Sequence, residues 1–71
     1  MATSIAIWIG RRILALRKQK GWSQQILADH AAMNREHLSD LENGKYEPSC
    51  GLVERLAKAL GVTLEEFFRG R

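Results

Sequence analysis

The sequence predicts an all-α domain of five short helices, and three observations carry that prediction. Apolar residues recur at intervals of three and four along most of the chain. Ser, Asn or Thr stands before each such stretch, and Gly or Asn-Gly stands after most of them. No stretch keeps the alternation of a half-buried strand. The 71 residues are 45% hydrophobic, enough for one core with little margin, so 1–71 is read as a single domain.

The first segment runs from about Ser4 to Lys20, with Ser4 as its cap. Ile9, Ile13 and Leu16 share a face, basic residues crowd the last turn as the helix dipole favours, and Gly21 stops it. The second starts at Ser23, turns Leu27, Ala28 and Ala31 inward, and breaks at Ala32-Met33. Asn34 caps the third, whose Leu38 and Leu41 recur at i, i+3 before Asn43-Gly44. The fourth follows Pro48-Ser49, with Val53, Leu56, Ala57 and Leu60 on one side and Gly61 as its stop. The fifth opens at Thr63, where Glu66 three residues on forms a capping box, and its apolar side is Leu64, Phe67 and Phe68.

Net charge is +3, but it is uneven. Arg11, Arg12, Arg17, Lys18 and Lys20 lie in a first segment with no acid, whereas six basic and eight acidic residues follow from Gly21 onward. Attraction to a polyanion is therefore expected mainly from the first helix. Cys50 is the only cysteine, so no intrachain disulfide is possible, and a reducing compartment, the cytoplasm, is expected. "IAIWI" is too short to span a membrane, and its basic residues follow the apolar run rather than precede it, so neither a span nor a secretory signal is expected.

Helices two and three are separated by a tight turn, the spacing of a helix-turn-helix over about residues 23–42. "SQQILADHAAMNREHLSDLENGKYEPS", with "IGRRILALRKQKGWSQ" before it and "LAKALGVTLEEFF" after it, resembles the phage-repressor-like (Cro/C1, XRE) helix-turn-helix family over about residues 9–68. The resemblance implies a compact five-helix lambda-repressor-like domain whose third helix enters the DNA major groove. It implies base reading by Arg35, Glu36, Ser39 and Asp40, with His37 at the edge of that set. It implies phosphate contacts from Gln24, Asn43 and Lys45, with the caps Ser23 and Asn34 beside them. It also implies a structural ion pair between Arg17 and Glu42, and a homodimer contact drawn from Thr63, Leu64, Phe67 and Phe68. Chemically, an arginine suits guanine O6 and N7, and a carboxylate suits the cytosine amino group.

Other features are read more plainly. His30 and His37 lie seven apart on different helices without further ligands, so no metal and no cofactor is expected. Cys50 falls where the family places a core aliphatic residue and is expected to be buried. Ala32 stands where the family favours glycine for a left-handed backbone, at a cost of about 1–2 kcal/mol. Gly51 weakens the first turn of helix four by up to ~1 kcal/mol relative to alanine. Ile5, Ile7, Trp8 and Ile26 either extend the core or form a patch that joins another chain; the sequence leaves both open.

The expected function is a sequence-specific regulator that binds double-stranded DNA as a homodimer on a palindromic operator. Restriction–modification controllers and small repressors fit that description. The alternative is a protein-interaction module or antitoxin whose main partner is a second protein, which the acidic third helix would suit. An enzyme is not expected, because no nucleophile–base pair, phosphate loop or ligand cluster is present.

Overall fold

The computed structural model describes residues 3–69, and among them the chain forms five helices and no strand. In order they are α1 (Ser4–Gln19), α2 (Gln24–His30), α3 (Arg35–Glu42), α4 (Cys50–Leu60) and α5 (Leu64–Phe67). No helix among these residues is long and apolar enough to cross a membrane. Every helix begins at a side-chain cap. Thr3, Ser23, Asn34, Ser49 and Thr63 each accept a backbone N–H from the first turn, which satisfies donors that have no partner within the helix.

One cap differs from expectation. Thr3, not Ser4, caps α1; its Oγ1 accepts from the Ala6 N–H at 3.1 Å and donates to Glu47 at 2.6 Å. The second bond ties the start of α1 to the segment before α4, a link that local spacing does not reveal. Thr63 closes the capping box with Glu66 as expected.

The helix ends share one device. After α1, α3 and α4 the chain turns through Gly21, Gly44 and Gly61 at positive φ, and α2 ends the same way at Ala32 with φ 54°. At that turn the Met33 N–H bonds back to the Ala28 carbonyl and the Ala32 N–H to that of Asp29, the paired closure of a Schellman turn. Ala32 therefore carries the left-handed strain expected of it, and the strain sits in the turn that aims α3.

Ile13, Leu27, Leu38, Leu41, Leu56, Leu60 and Phe67 are fully buried and form the core. They come from all five helices, so each helix is held by what the others contribute. α1 crosses the C-terminal end of α3 at Gly10. A Cβ there would lie 2.3 Å from the Leu41 carbonyl oxygen and 2.8 Å from that of Glu42, so the approach excludes any side chain. Arg12 reaches the other end of the chain, donating from Nε to the Phe67 carbonyl at 2.8 Å and from Nη2 to the Glu66 carbonyl at 2.7 Å.

Two expectations of burial change. Cys50 is exposed: it is the first residue of α4, at the end of the helix, where the core does not enclose it. Phe67 is wholly buried and packs edge-on to Trp8 and Phe68, so it belongs to the core and has no surface to offer a partner. Of the four residues with an open assignment, Ile5 and Trp8 are half-buried against the core, while Ile7 and Ile26 are exposed.

Candidate nucleic-acid interface

α2 and α3 meet through a turn of four residues, and α3 is fixed to the rest of the molecule from its inner side. Leu38 and Leu41 are buried under it. At its end Glu42 accepts from Arg17 Nε at 2.7 Å and from Arg17 Nη2 at 3.0 Å, a two-pronged ion pair in which both residues are buried. The remaining Arg17 nitrogen donates to the Trp22 carbonyl at 2.7 Å. Gln24 Nε2 donates to the same Glu42 carboxylate at 2.9 Å. Glu42 thus gathers α1, the start of α2 and α3 at one point. Such a pair holds geometry because its partners lose water together and satisfy one another.

The outer side of α3 is open. Arg35, Glu36 and His37 are exposed, and Ser39 and Asp40 are half-buried. Asn34 Oδ1 accepts the backbone N–H groups of Glu36 at 2.7 Å and His37 at 3.3 Å, which orders the first turn and leaves its own amide group outside. Glu36 lies in that first turn, where the helix dipole favours an acid. Asp40 pairs with Lys45 at 3.3 Å on the surface. Asn43 donates from its side chain to the Ser39 carbonyl at 2.9 Å, closing the helix end.

The residues expected at phosphates therefore stand at both edges of α3, and each keeps donors to spare. Ser23 is exposed at the head of α2, where its hydroxyl accepts from the Ile26 N–H at 3.2 Å. Gln24 has a second amide hydrogen beyond the one given to Glu42. Of the basic residues of α1, Arg12 and Arg17 are engaged inside the molecule, while Arg11, Lys18 and Lys20 are exposed. Net charge in the sequence thus overstates the positive charge that α1 can present.

The aromatic contacts around this face were not foreseen. Trp22 stacks on His30 with ring centroids 4.5 Å apart, and Lys20 Nζ lies 4.9 Å from the Trp22 ring centre. His37 stacks on Tyr46 at 5.0 Å. Local spacing cannot signal such pairs, because each joins a helix to a loop. Ile5, Ile9, Val53, Leu64 and Phe68, together with Glu47, Pro48 and Cys50, line a mostly apolar groove of about 290 Å³. Leu64 and Phe68 are 43% and 36% exposed there, high for large apolar side chains. Thr63 is exposed beside them, its side chain engaged in the capping box.

The chain resembles known proteins in both sequence and fold. Residues 13–67 match the family model described as helix-turn-helix. The competence pilus inhibition repressor of Acinetobacter baylyi is 42% identical over 60 residues, covering 84% of this chain and 54% of that protein. The chain thus spans about half the length of that curated relative. The control protein C.MunI of a Mycoplasma species is 37% identical over 65 residues, covering 90% of this chain and 88% of that protein. The crystal structure of the restriction–modification controller protein C.AhdI from Aeromonas hydrophila superposes with a TM-score of 0.87 at 30% identity, covering 93% of this chain and all of that one. With its two short helices joined by a left-handed turn, the second pinned from within and open outside, and a family match running from α1 to α5, this chain belongs to the helix-turn-helix family.

Proposed function

We propose that the protein is a sequence-specific transcriptional regulator that binds double-stranded DNA as a homodimer. The observation that carries this reading is the two-sided character of α3. Its inner side is locked by Arg17, Glu42 and Gly10, and its outer side presents Arg35, Glu36 and His37 to solvent. A helix of this kind fits the major groove with its N-terminal end leading, which places these three residues nearest the base edges. Ser23, Gln24, Asn34, Asn43 and Lys45 flank it and are assigned to the phosphates, which fix position and carry no sequence information themselves. Ser39 and Asp40 stand deeper along the helix as secondary readers.

The groove around Leu64 and Phe68 is assigned to a second copy of the chain. A two-fold contact there would set two reading helices about one turn of DNA apart, ~34 Å, and make the operator palindromic. The relatives named as repressor and controller proteins support the regulatory role.

Selection from random duplexes, followed by sequencing and a salt titration, tests the proposal. The expected result is a palindromic site bound with an affinity that falls steeply as salt rises. Enrichment of no sequence would overturn sequence-specific binding and favour a partner protein instead. Sedimentation adds a separate check: Phe68→Asp should shift the chain from dimer to monomer.

A further inference from the structure

Two residues that follow α3 reach back to side chains on it. Tyr46 is half-buried and packs against the core from the loop beyond the Gly44 turn. Its ring lies against the imidazole of His37 with centroids 5.0 Å apart and planes 26° from parallel. Its hydroxyl donates a long, weak bond of 3.5 Å to the His37 carbonyl. One residue earlier, Lys45 holds Asp40, three positions along the helix from His37. Two adjacent loop residues thus grip two side chains in successive turns of the face assigned to DNA. His37 is exposed, and an exposed side chain with nothing beside it samples several rotamers, freedom that is lost at a cost when a partner binds.

We infer that Tyr46 is a positioning residue for sequence reading: its anchored ring holds His37 in one rotamer, ready to donate an imidazole N–H to a purine acceptor in the major groove. The purine N7 and guanine O6 are the acceptors such a donor meets there. The inference rests on the DNA-binding reading and adds a specificity determinant outside the reading helix. Tyr46 acts through His37, so its effect belongs to one base pair in each half-site and not to general affinity.

The test uses the full chain with His37→Ala, Tyr46→Leu, Tyr46→Phe and the double variant His37→Ala/Tyr46→Leu. Each is measured on the selected operator with every base pair changed in turn, and on an unrelated duplex. Tyr46→Leu should reduce discrimination by about three- to tenfold at the base pair that His37→Ala also affects, with the unrelated duplex bound as before. Tyr46→Phe keeps the ring and should keep the preference. The double variant should match His37→Ala alone. Additive losses in the double variant, or an equal loss on all duplexes, would overturn the inference while leaving DNA binding intact. Binding of no duplex by the unaltered chain would overturn the DNA-binding reading and this inference with it. The stack itself is read without DNA: the His37 ring-proton resonances should move in Tyr46→Leu and stay near their original positions in Tyr46→Phe, with thermal unfolding confirming that both variants fold. Unmoved resonances in a folded Tyr46→Leu protein would also overturn the inference.

Discussion

Asp40 and Glu42 are two residues apart on α3, yet they belong to two different regions of the molecule. Glu42 faces inward, is 9% exposed, and accepts three hydrogen bonds from Arg17 and Gln24. Asp40 faces outward, with its side chain 47% exposed, and meets Lys45 across 3.3 Å in water. The two carboxylates have the same charge and different work. A buried carboxylate whose partner is removed leaves a charge without compensation, whereas an exposed one is solvated either way. The acidity of α3 is thus of two kinds: one part builds the scaffold and the other faces whatever the helix meets.

Four substitutions can break or sharpen that contrast. Glu42→Ala should be the most damaging, because it strands the buried Arg17 guanidinium; a loss of about 3–5 kcal/mol in denaturant unfolding is expected. A loss below about 1 kcal/mol would put the pair in the same class as a surface contact and end the comparison. Gly10→Ala should follow, at about 1–3 kcal/mol, since its Cβ would meet backbone oxygens of α3 that cannot move aside singly. Chemical shifts along α3 in that variant should report the displaced helix. Ala32→Gly should move stability the other way, by up to about 1 kcal/mol, the left-handed strain of the turn being relieved and partly offset by the extra backbone entropy glycine loses on folding. Asp40→Asn should change stability by less than about 1 kcal/mol, visible as an almost unmoved thermal midpoint. A drop as large as that of Glu42→Ala would show that the outer face of α3 is also structural.

The fold was legible because its signals are local. Caps at Ser23, Asn34, Ser49 and Thr63 and stops at Gly21, Gly44 and Gly61 each act within one turn, and the inward leucines repeat at the helical period. The supports of the site were less legible, because they join residues far apart in the chain. Nothing near Gly10 announces that α3 passes against it. Nothing near Arg12 announces that it bonds to carbonyls more than fifty residues away. Tyr46 reads as an ordinary loop residue until its ring is found on His37. Cys50 misled for the opposite reason: the family pattern suggested a core position, while the first residue of α4 is left exposed at the helix end.

The Arg12 bonds have a consequence for how the molecule opens locally. α5 has four residues, too few to persist as an isolated helix. It exists as a helix because Phe67 is seated in the core and Arg12 grips its last carbonyls from α1. Both attachments come from outside the helix itself, so α5 is expected to open whenever they part. Amide hydrogens of α5 should therefore exchange faster than those of α1 or α4 in the free chain. A second copy seated on Leu64 and Phe68 would slow them, making this terminal turn a clock for the lifetime of the dimer.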